Sequence, residues 1–357
     1  MTPSIRDATI VTGNGVLPPF SNTWTTWNYL PMQYQNEETV FVILDQNGRL
    51  WDMAGVKAGR QGAQFGENMK GMYHSPFSGK WFEGAYQIGG SLQRIDYPKR
   101  EIHVGVIIGR QNSCNPGTMS VAKSQYRVLE ERWWSGWRDP TKGCWLGCYT
   151  RTHGWRWLNV VKSEEPKTTI VRDPVYADNN LLQWDMTLAA ANPYWCKRTW
   201  MNQWSNSQTN VNNNGGIGFI PWVNRGDFPA WPKFLCSSTE GTISIQDGTT
   251  QRYVELAATD YGDGYVLYDT DPTHRIAVSE NEPIDNIFYE LIRSSTVLDY
   301  FLGAVAGEGI PVWQRLQGRS FVSPLPSYST GAIQVSSPDP TTTINMFVPQ
   351  HFDMPYG

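Results

Sequence analysis

What the chain has little of narrows its function first. Only 17% of its 357 residues are charged and the net charge is −4. Phosphate backbones are gripped by clustered Lys and Arg, and no such cluster occurs, so sequence-specific nucleic-acid binding is not expected. No stretch approaches the ~20 apolar residues of a membrane helix, and residues 1–20 lack the basic start and apolar middle of a secretory signal. The expectation is a soluble protein made in a cytoplasm. The five cysteines (Cys114, Cys144, Cys148, Cys196, Cys236) form no C-x-x-C pair and have no partners at zinc-like spacing. They read as reduced, mostly buried thiols, with no metal and no cofactor.

Catalytic patterns are equally scarce. There is no G-x-S-x-G, H-E-x-x-H or Walker segment. Glu37/Glu38, Glu130/Glu131 and Glu164/Glu165 are adjacent pairs, and adjacent side chains diverge on a strand or a helix instead of converging on one substrate. Asp173, Asp185 and His351 share no pattern that brings them together. His103 sits inside an apolar run and reads as a packed or edge residue rather than a ligand. The glycine-spaced stretch with Gly55, Gly59, Gly62 and Gly66 is followed by no helix start and no Lys-Ser/Thr pair, so a phosphate cradle is not expected. The chain reads as a non-enzyme.

What is present is aromatic and β-rich. The chain has 17 Trp and 17 Tyr, residues that dominate interfaces and also build sugar-stacking platforms. Residues 39–44 are a buried strand, Asn47-Gly48 marks a hairpin turn, and Leu50, Trp51 and Met53 form the return strand. Residues 100–109 read as a long strand. Asn115 as N-cap with Pro116 behind it predicts a helix over residues 115–134, with Met119, Ala122, Tyr126, Leu129 and Trp133 on one face and an Arg127–Glu131 pair on the other. Segments 144–151 and 155–161 alternate like a hairpin around Gly154, and residues 181–191 give a further strand. Ser205 to Gly216 is polar and Asn-rich and places a boundary between two domains.

The second half opens with Asn224, Gly226, Asp227, Pro229 and Pro232 before a short apolar run at 234–236. Strands are expected at 242–246, 252–256, 265–269 and 275–278, separated by Asp-Gly and Asp-Pro turns. A helix is expected over 283–303, and short strands at 312–316, 331–335 and 343–348. Residues 1–38 read as an extended arm.

These signals, in this order, resemble the siphovirus distal tail proteins, of the minor-tail-protein type found in actinobacteriophages. The matching positions are Gly48, Trp51, Met53 and Gly55; Gly154, Arg156, Leu158 and Val160; Asn192-Pro193 with Trp195; Asn224, Gly226, Asp227, Pro229 and Pro232; and Gly262, Asp263, Asp269, Thr270 and Arg275. The resemblance implies a mainly β fold with one or two helices. Residues 1–204 would form a tail-tube-like, ring-forming β domain, 205–216 a linker, and 217–357 a galectin-like antiparallel β-sandwich. It implies a homohexameric ring in the virion tail tip, between the major tail tube protein and the tail hub or baseplate, with the tape measure protein and DNA passing through. A carbohydrate-binding module making a weak host-glycan contact through a Trp-lined face is the alternative that composition leaves open.

Overall fold

The computed structural model describes residues 39–112, 118–120, 123–168, 173, 175, 181–207, 214–237, 241–256, 265–272, 277–279, 310–311, 316 and 318–356. These fall into two compact units. One holds residues 39–195 together with 353–356, and the other holds residues 196–352.

The first unit is built on an antiparallel sheet. Its strands are β1 (Thr39–Leu44), β2 (Leu50–Ala54), β3 (Ala63–Phe65), β6 (Arg100–Ile108), β9 (Cys144–Thr150), β10 (Gly154–Lys162) and β11 (Leu182–Ala190), in the order β2-β1-β9-β10-β11-β6-β3. Two hairpins stand off this sheet: β4 (Ser78–Phe82) with β5 (Ser91–Asp96), and β7 (Arg110–Asn112) with β8 (Thr118–Ser120). Strand β1 is buried along Val40–Leu44 because it lies between two neighbours, pairing with β2 on one side and β9 on the other. Strand β6 instead alternates, with Ile102, Val104, Val106 and Ile108 inward and Glu101 and His103 outward. His103 is therefore an outward residue, within 3.3 Å of the Thr187 hydroxyl.

The helix α1 spans Lys123–Ser135, shorter at its start than the 115–134 expected. Residues 118–120 are extended in β8, and the Asn115-Pro116 cap lies outside the described residues. The β7–β8 backbone pairing takes up the stretch that capping signals had assigned to the first helical turn. Tyr126, Leu129 and Trp133 are buried, as their spacing of three and four requires. Arg127 pairs with Glu130 at 2.7 Å and with Asp173, in place of the Glu131 partner expected. Trp133 contacts Trp51 edge-on at 5.0 Å between centroids and lies 5.9 Å from Trp137. Half of the described tryptophans are fully buried: Trp51, Trp133, Trp137, Trp155, Trp157, Trp195 and Trp204.

The second unit is two antiparallel sheets sharing one core. The first contains β12 (Trp195–Ser205), β14 (Lys233–Cys236), β17 (Val266–Asp269), β18 (Ala277–Ser279), β19 (Ile310–Pro311) and β21 (Thr343–Phe352), ordered β19-β18-β17-β14-β21-β12. The second has β13 (Ile217–Asn224), β15 (Ile243–Gln246), β16 (Tyr253–Leu256) and β20 (Ser329–Ser336), ordered β13-β20-β15-β16. Alternation along β13 turns Gly218, Ile220, Trp222 and Asn224 inward. Ile220 and Trp222 join Phe234, Ile245, Val254, Val266, Ile333 and Met346 in one buried cluster. Residues 205–207 and 214–216, within the stretch read as a linker, flank this sandwich; 208–213 lie outside the described residues.

The expected mainly β, antiparallel architecture is what the structure shows. The helix expected at 283–303, most of the strand expected at 312–316 and the arm at 1–38 lie outside the described residues.

Candidate functional site

Many of the described motif positions take part in turns, hydrogen bonds and packing. At the β1–β2 turn, Gly48 has φ +75°, a conformation that side chains with a Cβ disfavour. The buried Asp45 carboxylate accepts from the backbone N–H of Asn47 and Arg49, each at 2.9 Å, and from the Trp51 indole at 3.0 Å. The turn also closes the C-terminal end of α1. Asn47 Nδ2 donates to the Ser135 carbonyl at 3.0 Å and Arg49 Nη1 to the Arg132 carbonyl at 3.1 Å, satisfying groups that a helix end leaves free. Trp51 is therefore needed both as a ring against Trp133 and as a donor to Asp45.

Gly55, at φ +104°, starts the glycine-spaced loop. That loop folds back on β2: Gly59 N–H donates to Asp52 O at 2.8 Å, and Gln61 Oε1 accepts from the Asp52 N–H at 2.9 Å. The N–H groups of Gly62 and Gly66 donate to the carbonyls of Gly59 and Gly105. Amides committed in this way cap a sheet edge.

A second constellation fastens the end of the chain within the first unit. Arg100, fully buried, donates from Nη1 to Met72 O at 3.0 Å and from Nη2 to Ser75 Oγ at 2.7 Å and Asp353 O at 3.0 Å. The Asp353 carboxylate accepts from Ser75 N–H at 2.7 Å and lies 2.8 Å from His74 Nδ1. Burial acts to raise the Asp353 pKa, but these bonds outweigh it and hold the carboxyl below its ordinary value. Arg156, a motif position, donates from Nη1 to Met354 O at 2.8 Å. Ser75 Oγ donates to the carbonyl of Pro193, another motif position, at 3.3 Å. Tyr356 meets Tyr73 edge-on at 5.8 Å. Gly154, at φ +72°, makes the β9–β10 turn, and Leu158 is fully buried.

In the second unit the Asn224 side chain, 1% exposed, crosses two loops. Its Nδ2 donates to Phe228 O at 3.0 Å and Pro326 O at 2.9 Å, and its Oδ1 accepts from Gly226 N–H at 2.9 Å. A Cβ at Gly226 would lie 2.6 Å from His351 O. Asp227 donates its N–H to that same carbonyl at 2.8 Å and accepts from the Tyr328 hydroxyl through its side chain. Pro229 is exposed, while the Pro232 carbonyl accepts from Thr270 Oγ1 at 2.6 Å. Asp269 forms a buried ion pair with Lys233, 3.3 Å apart, across the β14–β17 register. Gly262, Asp263 and Arg275 lie outside the described residues.

The residues weighed for chemistry do not assemble into a site. Asp173 pairs with Arg127, Asp185 pairs through its backbone with Lys167, and the His351 carbonyl is engaged by Asp227. Among the described residues no group of three or more His, Cys, Asp or Glu side chains converges. Burial pushes the thiols of Cys144, Cys148 and Cys236 upward, that of Cys148 to about 12. A pocket of about 520 Å³ in the second unit is lined by Val254, Leu256, Tyr268, Asp271, Arg319 and Phe321. Its lining residues Pro272 and Leu316 border a stretch outside the described residues.

One surface stands apart. Among the described residues the β4–β5 hairpin pairs with no further strand, and its strands are exposed from Ser78 to Phe82 and from Ser91 to Ile95. It presents Trp81, Phe82, Tyr86, Ile88, Leu92 and Ile95 to solvent. Sequence reasoning missed it, although an aromatic-rich, weakly charged stretch at 77–97 was visible.

The architecture is mainly antiparallel β, of a kind also found in a phage hub adsorption apparatus. In particular, the chain is similar to the crystal structure of the SPP1 Dit (gp 19.1) protein, described as a paradigm of the hub adsorption apparatus in phages that infect Gram-positive bacteria. The TM-score is 0.50 at 12% identity, over 87% of this chain and 99% of that one. Two structures of the phage P2 baseplate in its activated conformation, with Ca and with Sr, are similar at TM-scores of 0.47 and 0.46. Each is 10% identical and covers 88% of this chain and 99% of its own. No family model matches the sequence, and no curated protein matches it. At 12% identity the likeness is one of fold.

Proposed function

We propose that this chain is a structural component of a siphophage tail tip, a distal tail protein whose copies close into a hexameric ring between the tail tube and the hub or baseplate. The observation that carries the reading is the fold shared with SPP1 Dit across 87% of this chain. The described motif positions fit it as scaffolding: they hold turns, a helix end and residues 353–356. In this reading the first domain forms the ring, the second is a galectin-like sandwich, and the tube, hub and tape measure proteins are the partners. The protein has no enzymatic activity and no cofactor, and it is made in the host cytoplasm before joining the virion. A lumen lined by a weakly acidic chain of net charge −4 would not retain passing DNA.

The carbohydrate-module reading required a Trp-lined face. Among the described residues Trp81 is the one strongly exposed tryptophan, on the isolated hairpin rather than on the sandwich. The structural reading is tested by light scattering of the purified chain across concentration, with negative-stain imaging. Rings with a central hole are expected. A strict monomer that binds an oligosaccharide would overturn it.

A further inference from the structure

We infer that Asn214 is a site of spontaneous covalent modification, where attack by the Gly215 backbone nitrogen converts the asparagine to aspartate and isoaspartate and opens the edge of β13. The inference does not depend on the tail-tip reading. It rests on a contrast between two Asn-Gly steps that the fold treats differently.

The chain has three such steps, at 14–15, 47–48 and 214–215, and the first lies outside the described residues. Glycine after asparagine offers the least obstructed backbone nitrogen, because no β-carbon stands beside it. At Asn47 the fold blocks the attack twice. The Gly48 N–H donates to Asp45 O at 3.0 Å, and Asn47 Nδ2 is anchored on Ser135 O at 3.0 Å. Both bonds have to break before nitrogen and amide carbon can meet.

At Asn214 neither block exists. Gly215 and Gly216, at φ +65° and +85°, make a two-residue turn closed by Asn214 N–H to Ile217 O at 2.8 Å and Ile217 N–H to Asn214 O at 3.3 Å. The Asn214 backbone is thus held on the side facing Ile217. Among the described residues its side-chain amide and the Gly215 N–H have no hydrogen-bond partner. Both residues are exposed, and a Cβ built on Gly215 meets nothing within 4 Å, so water reaches the nitrogen and ring closure displaces no neighbour.

The chemistry balances without an oxidant or a further reactant besides water. Water or hydroxide takes the Gly215 N–H proton, the nitrogen bonds to Asn214 Cγ, and the Cγ–Nδ2 bond breaks with ammonia leaving. Water then opens the cyclic imide. Cleavage at Cγ gives aspartate, and cleavage at the backbone carbonyl gives isoaspartate, which adds a methylene to the main chain.

That methylene matters because of where it enters. Strand β13 is an edge of its sheet, beside β20, and an uncovered edge is a template for pairing with other chains. Its outer side is closed at alternate residues. Asn214 covers Ile217, Asn202 Nδ2 donates to Pro221 O at 3.1 Å, Gln350 Nε2 donates to Val223 O at 3.0 Å, and Pro221 has no N–H to offer. A longer, charged residue at 214 breaks the first of these closures, next to Ile217 and Phe219, which are 42% and 55% exposed.

The test is incubation of the full chain in mildly alkaline buffer, with conversion followed by peptide mass spectrometry and hydrogen exchange read at residues 217–219. Each product is recognised by the mass difference between asparagine and aspartate and by the separation of the two isomers. A synthetic peptide of residues 210–218 sets the rate without the fold. The expected result is conversion at Asn214 close to the peptide's rate and about tenfold or more ahead of Asn47, a difference of ~1.4 kcal/mol in barrier. Exchange at Ile217 should quicken as isoaspartate accumulates. Gly215→Ala, a change in open space, sets a β-carbon beside the attacking nitrogen and should slow conversion by about tenfold. Equal rates at Asn47 and Asn214, or an unconverted Asn214 when the peptide has reacted, would overturn the assignment. Conversion that leaves exchange at Ile217 unchanged would overturn the opening of the β13 edge.

Discussion

Replacing Asn224 with Ala tests the claim that motif residues act as structural pins. The side chain is 1% exposed and bridges the turn after β13 to residue 326 through the bonds at 2.9–3.0 Å described above. Alanine leaves the carbonyls of Phe228 and Pro326 and the N–H of Gly226 without those partners. At about 1 kcal/mol net per bond, and more where a buried group stays unsatisfied, the loss is about 3 kcal/mol. For a unit of about 150 residues each kcal/mol shifts the melting point by about 2–4 °C, so calorimetry should show a drop of about 6–12 °C. Asn224→Asp is the sharper comparison. It keeps the acceptor for Gly226 but turns a negative oxygen toward two carbonyls, so it should destabilise at least as much as Ala. A loss below about 1 kcal/mol for Ala, or a tolerated Asp, would refute the reasoning.

Other consequences follow from the same geometry. Gly218→Ala places a methyl 1.8 Å from Trp204 Nε1, and Gly147→Ala places one 2.4 Å from Trp157 Cζ3; each should cost about 1–3 kcal/mol by denaturant titration, because a close-packed core cannot absorb it. Lys233→Met takes the ammonium away from the buried Asp269 carboxylate, 5% exposed, which keeps the Asp271 N–H at 3.0 Å, and should cost about 3 kcal/mol, with most of the loss recovered in the double variant Lys233→Met, Asp269→Leu. The Asp353 carboxyl is held below its ordinary value in the folded chain. Its contribution is therefore fully present above the unfolded value of about 3.9 and is lost as pH falls through the depressed folded value. Hydrogen exchange at residues 353–356 should accelerate over that range in the parent and show no such step in Asp353→Asn. Iodoacetamide at pH 8 should leave Cys144, Cys148 and Cys236 unmodified in the folded protein and label them in urea, since burial raises all three thiols.

Legibility in the sequence followed burial. Strand β1 and its Asn-Gly turn were readable because a run buried on both faces ends at a residue pair that only one turn geometry suits. The strands from β14 to β17 were readable because Asp-Gly and Asp-Pro steps separate them. The β4–β5 hairpin was not, since period-2 alternation arises only when one face is buried, and here neither is. Strand β12 was missed for a related reason: its half-buried residues give Trp-Cys-Lys-Arg-Thr-Trp no clean alternation. The start of α1 was misplaced because a good N-cap and Pro are local signals, and the backbone pairing of residues 118–120 overrode them. The return of residues 353–356 to the first unit depends on Arg100 and Arg156, far away in sequence. No local pattern encodes it. The same holds for the tryptophans, whose number suggested interfaces but of which more than half of those described are buried.

The central claim is that this chain is a structural part of a tail tip. It is tested most directly on particles of the phage that encodes it, labelled with gold-conjugated antibody raised against the purified chain and imaged by electron microscopy. The account predicts label at a single locus, the end of the tail distal to the head. Label spread along the tail or on the capsid, or particles that carry none of the chain, would contradict it.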